Sequence, residues 1–349
     1  RTMRFHVISL PHTNTTRAYD WCAYTGKVRK FCDMMTARGH TVYLYAGEDN
    51  EANVAELIPC ITRHEQEQFF PEGMAEFIPG LPYWTLMNSH AIAAIQGRAE
   101  VHDVVCHIAG LCQQPIAQAL PGMLHVEFGI GYGGTFADFR VFESYAWMHT
   151  VYGHQQGTHS ADGRYYDAVS SNYGDVNDFT FQAEKGDYFM YLGRLIDRKG
   201  VQVAADVCKH LDARLVVAGD GPNPPNYGEL VGLVGVERRA ELLAGAKALF
   251  VPTQYVEPFG GVAIEAMLSG TPVITTDWGA FTETVSQGET GFRCRTLAEF
   301  VDAARHVGDL DPCIIAKKAS RYSMEVVGEE YETYFDRLAG LWGTGWSAL

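Results

Sequence analysis

Two carboxylates eight positions apart, Glu257 and Glu265, bracket a glycine turn in the stretch EPFGGVAIEAMLSGTPVI. Gly260 and Gly261 turn the chain, VAIEAML has helical spacing, Gly270 stops it, and Val273 to Thr276 is β-branched. The pattern predicts a glycine turn, a helix, a glycine stop and a buried strand. Bare amides at Phe259, Gly260 and Gly261, with Val262 opening the helix, lie at the positive end of a helix dipole and favour an anion, phosphate first. Glu257 in the loop and Glu265 one turn into the helix can both point into one cleft. Upstream, Arg194 and Lys199 place a forked guanidinium and a compact ammonium on one loop. Asp220 stands alone between glycines, so no paired acidic motif is set for a metal. The plainer readings stand beside these: glycine turns before helices are common, and Arg194 and Lys199 also suit a surface loop with a capping ion pair.

The elements that must position these residues follow a strand–loop–helix rhythm. Tyr188 to Leu192 reads as a strand, Val201 to His210 as a helix and Arg214 to Ala218 as the next strand. A brief strand is expected at Leu230 to Leu233, a helix at Glu237 to Ala246, a strand at Ala248 to Pro252 and a helix at Leu297 to His306. Ser323 to Trp342 has the pattern of a long amphipathic helix.

Three pieces together, E-x7-E at Glu257 and Glu265, Gly193-Arg194-Leu195 with Lys199-Gly200, and Ala218-Gly219-Asp220-Gly221-Pro222, resemble the nucleotide-sugar half of GT-B glycosyltransferases, specifically the retaining family 4. The resemblance runs from about Tyr188 to Arg305 and is weak over the N-terminal half. It implies an α/β protein of two Rossmann-like domains facing a cleft. Residues 1–180 would form the acceptor-side domain, 181–322 the nucleotide-sugar domain, and 323–349 a C-terminal helix packing back on the first domain. It implies retaining transfer from a UDP- or GDP-sugar to a hydroxyl, by front-face attack. Glu265 would bond the ribose hydroxyls and Glu257 the sugar hydroxyls. Arg194, Lys199 and the amides at 259–261 would hold the diphosphate, with Gly193 and Gly219 close to the donor. No metal and no cofactor would be needed. Two other readings remain open: a nucleotide-sugar 2-epimerase on the same fold, and a module that binds a nucleotide sugar without turning it over.

The N-terminal half opens as Rossmann-like domains do. Phe5 to Leu10 is a strand, Ala23 to Ala37 a helix and Thr41 to Ala46 a second strand. The first loop carries Thr13, Asn14, Thr15, Thr16 and Arg17 where relatives carry glycines. Residues 48–80 are expected to hold one helix and a long loop. A helix is expected from about Trp84 to Ala99, a strand from Asp103 to Ala109, and another from Met123 to Phe128. Four glycines in 129–134 then give a mobile backbone at a strand's C-terminal end, where α/β sheets place ligands. The resemblance implies a histidine near the transferred sugar at this strand's tip. His125 or Glu127 would take that place; the alternative is a core histidine bonded to backbone. Residues 140–152 have helical spacing and large aromatics, 153–163 read as a loop, and 166–172 as the domain's last strand.

Composition narrows the partners. The 349-residue chain has 47% hydrophobic residues and a formal charge of −15, which argues against broad polyanion binding. Residues 1–46 nonetheless carry seven Lys or Arg against Asp20 and Asp33. Lys27, Arg29 and Lys30 form either an ordinary solvated helix face or a patch for a nucleic-acid or membrane-surface acceptor. A modified DNA base, a lipid, a glycan and a small molecule all remain open as acceptors. Eight scattered cysteines without a CxxC pair suggest reduced thiols in a cytoplasmic protein rather than a zinc site. The first apolar run is too short for a signal peptide, and no apolar run reaches eighteen residues.

Overall fold

Runs of Val, Ile, Leu and Phe that are apolar at every position suit parallel strands covered on both faces. The computed structural model, which describes residues 1–156 and 162–341, contains two such sheets. In the first, β1 (Arg4–Ile8), β2 (Thr41–Ala46), β3 (Glu56–Pro59), β4 (Val104–His107), β5 (Leu124–Ile130), β6 (Phe139–Phe142) and β7 (Ala168–Val169) lie in the order β3-β2-β1-β4-β5-β6-β7. In the second, β8 (Phe189–Leu192), β9 (Leu215–Ala218), β10 (Glu229–Gly232), β11 (Leu249–Val251), β12 (Val273–Thr276) and β13 (Gly291–Cys294) lie in the order β10-β9-β8-β11-β12-β13. Every pairing is parallel.

Internal packing divides the chain into two units. The first holds Arg1–Glu143, Thr150–Ser170 and the C-terminal stretch from Val327; the second holds Ser144–His149 and Ser171–Val326. In the second unit, alternation sends Tyr191, Val217, Phe250 and Ile274 into a core with helices Val201–His210 and Leu297–His306. Met190, Val216, Leu249 and Val273 pack on the other face with helices Val236–Gly245 and Gly261–Leu268. In the first unit, Tyr331 and Phe335 of helix Met324–Leu341 meet Phe31 and Phe5, with ring centroids 5.4 and 4.7 Å apart. No helix among the described residues is long and apolar enough to cross a membrane.

Three expectations need correction. Residues 140–152 do not form one helix: Phe139–Phe142 is β6, hydrogen-bonded between β5 and β7, and the helix begins at Tyr145. Arg-Val-Phe is buried there and follows the sheet rather than the aromatic spacing after it. Residues 48–80 contain an edge strand, β3, besides the capped helix Arg63–Phe69; with one exposed face, β3 lacks an apolar run. Residues 153–156 close helix Tyr145–Gln156 instead of starting a loop. The remainder of that expected loop at 157–161, and Trp342 at the end of the expected last helix, lie outside the described residues.

Candidate active site

In an open parallel sheet the strand order reverses at one point, and the loops leaving the two strands there diverge to leave a crevice. In the second unit that point lies between β8 and β11. The loop after β8 carries Gly193, Arg194 and Lys199, and the loop after β11 carries Glu257 to Gly260. The topology therefore brings together two loops about sixty residues apart in sequence. The Gln254 N–H donates to the Arg198 carbonyl at 2.9 Å and ties them.

Lys199 Nζ lies 3.2 Å from Glu257 Oε2, a charge-assisted hydrogen bond. The same ammonium stands 5.2 Å from the Tyr255 ring centroid, with the Arg198 guanidinium at 4.6 Å. Glu257 is buried and Arg194 is exposed, with no partner for its guanidinium among the described residues. Gly260 has φ +78°, and an added Cβ would lie 2.6 Å from the Phe281 ring, so only glycine fits this turn. The amides of Gly261 and Val262 begin helix Gly261–Leu268 and have no carbonyl a turn earlier to bond. Phe259 contributes its backbone alone, because its ring is buried against Tyr322. At the end of β9, a Cβ on Gly219 would fall 1.8 Å from the Gly193 carbonyl oxygen, so the two loops touch through bare backbone.

Glu265 lacks one hydrogen bond. Its Oε2 is buried without a hydrogen-bond partner among the described residues, and Arg239 Nε stops 3.7 Å away. A buried carboxylate oxygen left without a donor carries a desolvation cost that a ligand hydroxyl would remove. Arg239 and Tyr255 were not among the expected site residues. Arg239 lies in a run that shows only helical spacing, and Tyr255 beside Glu257 has no partner in sequence that marks it.

The candidates of the first unit have different surroundings. His125 is the second residue of β5, toward its N-terminal end, and the structure does not bring it to the strand's tip. Its Nε2 donates to the Leu120 carbonyl at 2.7 Å, so its Nδ1 accepts from His107 Nε2 at 2.9 Å. Burial pushes both rings below the ordinary histidine value, and His107 Nδ1 has no hydrogen-bond partner among the described residues. Glu127 is fully buried and organises the glycine-rich run. Its Oε2 accepts from the N–H groups of Phe136 and Ala137 at 2.8 and 2.9 Å, and its Oε1 from the Tyr132 hydroxyl at 3.1 Å. Burial raises its pKa despite these donors.

Lys27 and Arg29 do not form an open basic patch. Both are buried: Lys27 binds the Gly129 carbonyl and the Glu143 carboxylate, and Arg29 binds Asp20 at 2.9 Å. Lys30 is half-buried. Each of the two buried cations is matched to a carboxylate, as low dielectric requires. All eight cysteines are unpaired thiols, with Cys313 alone exposed.

Residues 186–309, which contain every glycine turn and carboxylate of the second unit's site, match the family described as glycosyl transferases group 1. This segment belongs to the group 1 glycosyltransferases. Glycogen synthase of Mycobacterium tuberculosis is 33% identical over 149 residues, 37% of this chain and 36% of that enzyme. The chain thus matches about a third of that curated relative's length. Solved structures extend the likeness to the whole fold. AviGT4, a glycosyltransferase involved in avilamycin A biosynthesis, superposes with a TM-score of 0.71 over 97% of this chain and 98% of its own, at 20% identity. Anabaena HepE, solved in complex with UDP and glucose, gives a TM-score of 0.66 over 96% of this chain and all of its own, at 13% identity. The group 1 segment and the N-terminal unit together have the GT-B fold, two α/β units each with a parallel sheet.

Proposed function

We propose that this group 1 family member is a retaining, metal-independent glycosyltransferase of the cytoplasm that uses a UDP-sugar. The observation that carries the reading is the buried oxygen of Glu265 that has no hydrogen bond among the described residues, one turn along the helix that the Gly260 turn opens, with the Lys199–Glu257 pair on the adjoining loop. That set offers an acceptor for ribose hydroxyls, amides and cations for a diphosphate, and a second carboxylate for sugar hydroxyls. UDP is favoured because HepE binds UDP and, in a further structure, UDP-glucose.

In the reaction, the acceptor hydroxyl oxygen bonds to the anomeric carbon on the face the diphosphate leaves. The carbon–oxygen bond to the diphosphate breaks with its electron pair on UDP, and the acceptor proton passes to that phosphate. Arg194, Lys199 and the amides at 259–261 stabilise the charge that grows on the diphosphate. These groups cover the phosphates without a divalent ion.

Activity should therefore persist in excess chelator, and Arg194→Ala and Lys199→Ala should each slow transfer more than tenfold. A charged contact to phosphate contributes roughly 1.5–3 kcal/mol. Assays with UDP-glucose, GDP-mannose and an acceptor panel test this. Loss of activity in chelator restored by magnesium would overturn the metal-free mechanism. An isomerised sugar formed without acceptor would establish epimerisation instead.

A further inference from the structure

We propose that the first unit carries a binding pocket for a neutral, ring-bearing, hydroxylated small molecule, which is the acceptor. Its role as acceptor rests on the transferase reading above; its binding does not. A cavity of about 410 Å³ opens among segments that follow β1, β4 and β5, within the size range of small-ligand sites. Ile108 and Leu111 come from the chain after β4, Tyr132 from the glycine-rich run after β5, and Tyr24, Phe77 and His154 from elsewhere in the unit.

Three rings form one connected aromatic wall. Tyr24 meets Tyr132 with centroids 5.9 Å apart and planes at 69°, and meets Phe77 at 6.2 Å. Such walls favour a flat ring packed edge-on or offset. The Tyr132 position is held from behind, since its hydroxyl donates to buried Glu127. Phe77 is 45% exposed and Leu111 is 40% exposed, so apolar surface at the pocket remains for a ligand to cover.

The lining also states what is rejected. Among the described residues, no Asp, Glu, Lys or Arg lines the cavity. A phosphate or carboxylate there would lose water and gain no counter-charge. Lys27, whose ammonium stands 5.1 Å from the Tyr24 ring centroid, is already bonded to Gly129 and Glu143. Polar side-chain groups on the lining residues are few: the phenols of Tyr24 and Tyr132, the Cys112 thiol and the His154 ring, and the Tyr132 phenol already donates to Glu127. A glycan would leave most of its hydroxyls unbonded, whereas a ring compound with one or two hydroxyls would not. Nucleic acids, phosphorylated lipids and glycans are thus disfavoured relative to a neutral phenol-like or alicyclic alcohol.

The test titrates 2-naphthol, followed by its own fluorescence, into the full chain without nucleotide sugar. One saturable site is expected. The matching carboxylate, 6-hydroxy-2-naphthoate, should bind at least tenfold more weakly. Leu111→Asp and Phe77→Ala should each weaken 2-naphthol at least fivefold while keeping the parent melting temperature and UDP affinity. Equal binding of the neutral and charged ring compounds, unchanged affinity in both variants, or tighter binding of maltose overturns the pocket assignment. Adding UDP-glucose then tests the acceptor role: a 2-naphthyl glucoside and UDP should form together. Binding of both 2-naphthol and UDP-glucose without glucoside overturns that role. Failure to bind UDP in a separate titration would sink the transferase reading alone, because the naphthol result is read without nucleotide.

Discussion

Glu257 and Glu265 share a motif but not an electrostatic situation. Glu257 already accepts from a cation, Lys199 at 3.2 Å, whereas one oxygen of Glu265 is buried without a hydrogen bond among the described residues, its cation Arg239 standing 3.7 Å away. A group that waits for a donor gains most from a ligand, so Glu265→Ala should weaken UDP and UDP-glucose alike by about 1.5–3 kcal/mol. Glu257→Ala should leave UDP affinity nearly unchanged while transfer collapses, because the sugar loses its orienting contact. Calorimetry with UDP beside a transfer assay checks both, and the reverse pattern would exchange the two roles.

At the level of elements, helix Ala23–Ala37 is fastened to the sheet by a buried ion pair. Lys27 reaches the Gly129 carbonyl and the Glu143 carboxylate, and both side chains are nearly inaccessible. A buried pair adds little net stability, but half of one is expensive. Lys27→Met should lower stability by about 3–5 kcal/mol, and the double change Lys27→Met with Glu143→Leu should recover most of it. Urea denaturation of the three variants measures this. A double variant no more stable than the single would show that the loss comes from packing. The run 131–137 depends in the same way on Glu127, whose carboxylate gathers two N–H groups and a phenol.

For the whole molecule, acid should act on the two units unequally. His6, His12, His107 and His125 of the first unit lie below the ordinary value of 6.5 because burial disfavours the charged ring, with His12 at about 4. The unfolded chain therefore takes up protons first as pH falls. Their contribution is intact above about 6.5 and is lost from there downward, through about 4 for His12, at up to about 1.4 kcal/mol per pH unit for each proton. Glu127 acts in the opposite sense, since its raised folded value lets the native state take a proton first, but it is one group against four. Among the described residues, the second unit contains no buried histidine. Hydrogen exchange at pH 7 and pH 5 should show protection falling in the first unit before the second. Equal loss in both would count against this account.

The sequence by itself determined the elements whose signals are local. Helices Ala23–Ala37, Val201–His210 and Leu297–His306 carry their own periodicity and stops, and the Gly260 turn carries its own chirality. The E-x7-E spacing and the glycine turns made the group 1 relationship legible, because backbone approach to an anion restricts residue types over short distances. Tertiary structure decided what depends on who the neighbour is. β6 reads as helix until β5 and β7 flank it, and β3 carries too little apolar character to announce an edge strand. Lys27 and Arg29 look like a solvated face because charge is visible in a sequence and burial is not; carboxylates at Glu143 and Asp20 reverse the reading. The same holds for Lys199 and Glu257, 58 residues apart, which meet only because β8 and β11 are adjacent where the strand order turns.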